Sequence, residues 1–387
     1  MIRSRADLGR TRRVVVKIGS SLLTDAEAGI RMSVVERIAA EVADLQGRGM
    51  QVCIVSSGAV ALGRVQMGWL GRKLSVHEKQ ACAAIGQPSL MYAYKQAFSA
   101  HGLNVAQLLL TKDDLRHRRR YLNASNTSET LFSAAVIPVV NENDTVVVEE
   151  IKFGDNDTLG ALVSLVVDAD LMLMMTDVDG LFEQNPATHA DANRLTVVES
   201  ITSEVMQMAG DVGSSFGTGG MVSKLKAAEI ATRGGVAAAI VNGHREYVLA
   251  DFLSGEDVGT LFLCGEDRQS RRQHWIMDVL HPLGTIHVDA GAAKAVLKGG
   301  GSLLPIGMTG VDGAFDKGEC IEIAGPDGLF ARGLSNYNAN EMRKLVGVSS
   351  DKIEETLGYV DFTSVVHRDN LVLLERDERV VNGGAKR

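Results

Sequence analysis

The sequence predicts an α/β fold: a three-layer sandwich of helices around a mostly parallel sheet, followed by a small β-rich C-terminal domain. Three observations carry this. Over roughly the first 245 residues, short apolar runs alternate with longer segments of helix-like apolar spacing, the pattern of βαβ units. Gly, Ser and Asp cluster where the apolar runs end. After about residue 262 the pattern changes to short strands and Gly-rich turns. The chain has 387 residues, too many for one typical domain, and its 45% hydrophobic content allows a sizeable core.

In chain order, the strands are expected at "RVVVKIG" (13–19), "QVCIVSSG" (51–58), "NVAQLLLT" (104–111), "AVIPVV" (135–140), "DLMLMMTDV" (170–178) and "VAAAIVNG" (236–243). Helical spacing falls at 33–47, 76–100, 121–134, 157–168 and 221–233. Ligands of such sheets sit at the carboxyl ends of the strands. That edge here would carry Gly19-Ser20-Ser21, Ser56-Ser57-Gly58, Thr176-Asp177 and Asn242-Gly243. The charged, aperiodic "GEDRQSRRQHW" (265–275) reads as a linker, and "GTIHVDAG", "KGGGSLLP" and "CIEIAGPDGLFARGLS" read as short strands and turns. The expected division is a first domain at 1–262, a linker at 263–283, a β-rich domain at 284–366 and a tail at 367–387.

Composition excludes several classes. A net charge of −8 argues against a protein dedicated to nucleic acid. The four cysteines, Cys53, Cys82, Cys264 and Cys320, have no CxxC spacing and read as reduced thiols of a cytoplasmic protein. The start "MIRSRADLGRTRR" lacks the apolar core of a signal peptide, and "ALVSLVVDADLMLMM" is interrupted by Asp168 and Asp170, so no membrane span is expected. The nine histidines show no ligand spacing, so no metal site in the chain is expected. The basic run "RHRRRY" (116–121) reads as a solvated helix face.

Six segments suggest chemistry. In "VVVKIGSSLLT" (14–24), Lys17 sits near the end of an apolar strand, where burial is costly unless the ammonium has a partner. It is either an edge-strand lysine facing solvent or a cation aimed at phosphate beside turn amides. "GTGGMVSKLKAAE" (217–229) is a Gly-rich turn feeding a helix with Lys224, either an anion-binding helix start or an ordinary loop; it fits neither GxxxxGK[ST] nor GxGxxG. "IVSSGAVALGR" (54–64) runs from strand through a tight turn into a helix, and "MMTDVDGLF" (174–182) is a common type of strand-to-helix turn. Finally, "NENDT" (141–145) and "KFGDNDTLGALVS" (152–164) crowd Glu142, Asp144, Asp155 and Asp157 together. Surface turns and helix caps would explain them, as would a cluster facing cations.

Taken together, "VVVKIGSSLLT", "IVSSGAVALGR", "AAIGQPSLM", "VNENDTV", "FGDNDTLGALV", "TDVDGLF" and "GTGGMVSKLKAA" resemble the amino-acid kinase superfamily, in order and over nearly all of residues 13–245. The resemblance is closest to members that phosphorylate glutamate at the start of proline synthesis. Residues 284–366 resemble a PUA domain, which many bacterial members carry at the C-terminus. Departures are small: Ser56 precedes Ser57 where a Thr-Ser pair is usual, Ser223 replaces a common Thr, and Phe182 a frequent Tyr.

The resemblance implies roles at matching positions. Lys17 and Lys224 would contact the transferring phosphoryl group, with Asp157 orienting both. Ser57, Asp144 and Asn156 would hold the amino-acid substrate, Asp144 facing its α-ammonium. ATP would lie on Lys17, Thr176, Asp177 and the loop Thr218, Gly219, Gly220, Met221, Val222, Ser223 and Lys224. It also implies Mg²⁺ entering with ATP, L-glutamate as acceptor of the γ-phosphate, feedback inhibition by proline, and a homo-tetramer. Other small-acid kinases of the superfamily, for aspartate or N-acetylglutamate, are the nearest alternative. An RNA-associated PUA protein is disfavoured, because residues 284–366 hold 7 Lys and Arg against 11 Asp and Glu.

Overall fold

In the computed structural model, strand β1 (Arg13–Ile18) lies at the centre of an eight-stranded sheet. The structure describes residues 2–25, 29–146, 156–184, 186, 189, 191–209, 220–265 and 280–374. The other strands of this sheet are β2 (Gln51–Val55), β3 (Val105–Leu110), β4 (Ile137–Glu142), β5 (Leu171–Thr176), β6 (Val197–Val198), β7 (Ala237–Asn242) and β8 (Thr260–Phe262). Their order is β3-β4-β2-β1-β5-β7-β8-β6. All neighbours are parallel except β7 and β8. The mostly parallel α/β sandwich predicted from sequence is thus the observed architecture. β1, β2, β5 and β7 are buried almost throughout, which explains why their sequences are apolar apart from Lys17 and the polar residues at strand ends.

Strand side chains alternate between two faces. Val14, Val16 and Ile18 of β1 join Ile54, Leu173 and Ala239 in one core, with Val35, Ile38 and Val42 of helix α1 (Met32–Gly47). Lys17 is one position out of that series and therefore faces the other layer.

Helix α2 (Ala59–Gln66) follows β2 directly, and helix α3 (Val76–Ser99) starts at a capping box. There Ser75 Oγ accepts from the Glu78 amide at 3.3 Å, and the Glu78 carboxylate accepts from the Ser75 amide at 2.8 Å. α2 and α3 meet backbone to backbone. A Cβ on Gly63 would lie 1.9 Å from the Cys82 carbonyl oxygen, and one on Gly86 1.9 Å from that of Ala59. Helix α4 (Arg118–Ser133) precedes β4, α5 (Asn156–Val166) precedes β5, and α6 (Met221–Arg233) precedes β7.

The chain divides into two compact units, one of Met1–Leu115 with Tyr121–Asp267, the other of Arg116–Arg120 with Arg268–Arg387. The second contains a five-stranded sheet of β9 (Gly284–Val288), β10 (Met308–Gly313), β11 (Cys320–Gly325), β12 (Gly328–Ser335) and β13 (Val366–Leu373), in the order β10-β9-β11-β12-β13. Its own core includes Ile286, Ile321, Ile323, Tyr337, Met342 and Val366. Among the described residues, no helix is long and apolar enough to cross a membrane.

Candidate active site

The carboxyl ends of β1, β2, β4 and β5 gather the polar groups singled out in the sequence. Lys17, next to last in β1, is 4% exposed, and its Nζ lies 2.5 Å from Asp157 Oδ1. Asp157, in the first turn of α5, is fully buried. Its second oxygen lies 3.5 Å from Lys224 Nζ and accepts from Ser223 Oγ at 2.8 Å. The solvent-facing alternative for Lys17 is therefore excluded, since the ammonium is buried with a counter-charge. Gly160 permits this approach. A Cβ there would stand 2.8 Å from Met172 Cε and 3.3 Å from Lys17 Cγ, so a glycine one turn beyond Asp157 lets α5 settle onto the lysine stem.

Burial pushes the Asp157 carboxyl towards neutrality. The charges of Lys17 and Lys224, with hydrogen bonds from Lys17 and Ser223, outweigh this and hold it below the ordinary carboxylate range. Burial pushes the Lys17 ammonium down against the pull of Asp157. The carboxylate thus keeps two cations at the sheet edge with little water around them. Ser223 Oγ also lies 2.8 Å from the Gly220 carbonyl oxygen. Its single hydroxyl proton serves one acceptor at a time, so Ser223 links the first turn of α6 either to its own cap or to Asp157.

A second group surrounds Asn156, the first residue of α5. Its Nδ2 donates to the Ser56 carbonyl at 2.7 Å, to Asn141 Oδ1 at 2.9 Å and to Ser57 Oγ at 3.2 Å. Ser56 is in turn held at 2.9 Å by the hydroxyl of Tyr94, a fully buried residue of α3. Gly58 follows at φ +100°, in the left-handed region, as the N-cap of α2. A side chain there would also approach Thr24 Cγ2 at 2.9 Å, so both conformation and space require the glycine.

Asp144 stands in the turn after β4. Burial, and then the charge of Glu142, push its carboxyl up to about 7. Thr176 ends β5 and donates to Asp177 at 3.0 Å, so these two bond to each other rather than to the lysine cluster. Gly220, Met221, Val222 and Ser223 form the cap and first turn of α6. Thr218, Gly219 and Asp155 lie outside the described residues.

Sequence reasoning assigned no role to Asn141, Gln87, Ser56 or Tyr94. Asn141 and Gln87 lie in "VNENDTV" and "AAIGQPSLM", segments used only for their resemblance. Their partners are 15 to 54 residues away in the chain, beyond any local pattern.

The Amino acid kinase family model matches residues 12–242, and the PUA domain model matches 284–357. The chain belongs to the amino acid kinase family. The kinase is 50% identical to "Glutamate 5-kinase" of Geobacter sulfurreducens over 95% of this chain and 99% of that one. It is 49% identical to the protein of that name from Trichlorobacter lovleyi over 96% and 99%. It is likewise 49% identical to that of Pelobacter propionicus over 94% and 98%. The kinase is thus matched along both units, and its buried Lys17–Asp157–Lys224 cluster lies within the part that defines the family.

Proposed function

We propose that this kinase transfers the γ-phosphoryl group of ATP to the γ-carboxylate of L-glutamate, giving L-glutamyl 5-phosphate and ADP, the first step of proline biosynthesis. The buried carboxylate that holds two lysines at the sheet edge carries the mechanistic part of this reading. The near full-length likeness to glutamate 5-kinases supports the choice of acceptor.

The acceptor is a carboxylate with a pKa of about 4.3, ionised at neutral pH, so no general base is needed. The barrier lies in bringing one anion onto another and aligning them. Lys17 and Lys224 would offset charge on the transferring group, and Asp157 would hold both ammonium groups in place. Ser57 and Asn156 would hold the amino acid, with Asp144 facing its α-ammonium. Thr176, Asp177 and the 218–224 segment would hold ATP.

Mg²⁺ would enter with ATP on the phosphate oxygens and supply further charge neutralisation. The donor set suits that route, because both Asp157 oxygens are already engaged by the lysines and Ser223. We further propose a cytoplasmic location, a homo-tetramer and feedback inhibition by proline. A division into a kinase domain at 1–262, a linker, a PUA-like domain at 284–366 and a tail completes the reading.

The deciding experiment offers MgATP with L-glutamate, N-acetylglutamate, aspartate or UMP and traps acyl phosphate with hydroxylamine. Hydroxamate from L-glutamate well above the other acids is expected. Equal or better turnover of another acceptor, read as ADP release, overturns the assignment. Light scattering and a proline titration of the same preparation test assembly and inhibition.

A further inference from the structure

Behind Asn156 runs a chain of three amides whose directions are all determined. The main-chain N–H of Glu142 donates to Asn141 Oδ1 at 3.0 Å, and a backbone donor cannot exchange roles. Asn141 Oδ1 therefore faces that amide and also accepts Asn156 Nδ2 at 2.9 Å. Asn141 Nδ2 is left pointing the other way, where Gln87 Oε1 accepts it at 2.7 Å. Asn141 is 2% exposed and Gln87 9%. Gln87 Nε2 is buried with no partner among the described residues. Such an amide is costly to bury, and a methionine would fill the same volume without that cost.

The local sequence explains why this glutamine reaches so far. Gly86 lets α3 touch the Ala59 carbonyl at the start of α2, which brings the next residue against the end of β4. Pro88 follows inside the helix, where it offers no backbone donor.

We infer that Gln87 is a positioning residue for the proposed amino-acid site. By accepting from Asn141 it pins the Asn141 amide, which pins Asn156 with its Nδ2 inward and its Oδ1 turned away from Ser56, Ser57 and Asn141. Asn156 Oδ1 is then an acceptor for the α-ammonium of the substrate. Gln87 acts through two other residues and is not placed on the substrate itself. Without its oxygen, Asn141 Nδ2 becomes a buried unpaired donor. A flip does not relieve this, because it would set Nδ2 against the N–H of Glu142 and the Nδ2 of Asn156. Asn141 must then shift, and Asn156 with it.

This inference rests on glutamate being the acceptor, and the test separates the two. Wild-type enzyme is first assayed with L-glutamate and with glutarate, which lacks the amino group; failure of glutamate to turn over sinks the substrate reading and the inference with it. Given turnover, Gln87→Met and Gln87→Glu are compared with wild type by steady-state kinetics and thermal melting. Gln87→Met is expected to raise the glutamate KM about tenfold, to leave kcat and the ATP KM within about twofold, and to reduce the preference for glutamate over glutarate. A purely structural role would lower the melting temperature and leave that preference unchanged. Gln87→Glu keeps an acceptor for Asn141 and is expected to keep the glutamate KM within about threefold of wild type. A folded Gln87→Met with wild-type KM and preference overturns the inference. So does a Gln87→Glu that loses the preference, and this second arm decides the matter if the methionine variant does not fold.

Discussion

At the scale of single residues, the site depends on where charge is buried. Asp157 is enclosed by Lys17, Lys224 and Ser223, so its carboxylate can offset two largely buried ammonium groups. If both lysines act on charge that develops at the phosphoryl group, Lys17→Ala and Lys224→Ala should each lower kcat by about 100-fold or more, with smaller changes in the glutamate KM. Wild-type kcat in either folded variant would remove that lysine from the mechanism. Asp144 is a different case, a carboxyl raised to about 7 and so only partly ionised at neutral pH in the free protein. Its attraction for an ammonium exists only when it is ionised, so kcat/KM for glutamate should fall as pH drops below about 7. Asp144→Asn should raise the glutamate KM and abolish that acidic limb. Unchanged saturation and an unchanged pH profile in this variant would leave Asp144 as a turn residue.

At the scale of elements, the site is set by close approaches between helices and strands. α2 and α3 touch through Gly63 and Gly86, where an added methyl would strike backbone oxygens rather than a yielding side chain. Gly86→Ala is therefore expected to destabilise the protein by about 1–3 kcal/mol or more, measured by urea unfolding. It should also raise the glutamate KM, because α2 begins at the Ser56-Ser57-Gly58 turn. A variant as stable as wild type would mean that the helices separate freely. The α3 start is a milder test, since Ser75→Ala removes one half of a capping box and should cost about 1 kcal/mol without touching KM.

At the scale of the whole molecule, the described chemical groups lie in the first unit, and each unit has its own core. A chain ending at Gly265 is accordingly expected to melt cooperatively and to keep phosphorylating glutamate. The PUA-like part would then tune assembly or proline sensitivity. A truncated chain that melts cooperatively but does not turn over would show that the second unit completes the active site.

The sheet was readable in advance because buried parallel strands need continuous apolar sequence, as in "RVVVKIG" and "DLMLMMTDV". Lys17 was conspicuous for the same reason, a cation inside such a run, and the Gly-rich turns marked the edge where strands hand over to helices. These signals are local, arising from periodicity and from residue types that tolerate few environments. The partner of Lys17 was not readable from composition or spacing, because Asp157 could equally have capped a surface helix. Folding decided between the two by packing Gly160 onto the lysine stem. Likewise no pattern announces that Gln87 meets Asn141 across 54 residues, or that Tyr94 holds Ser56 across 38. Nor does the string "NENDT" reveal that one carboxyl is raised to about 7, since that shift comes chiefly from burial. Hydrogen bonds and desolvation depend on which atoms meet in space, and only the packed tertiary structure brings them together.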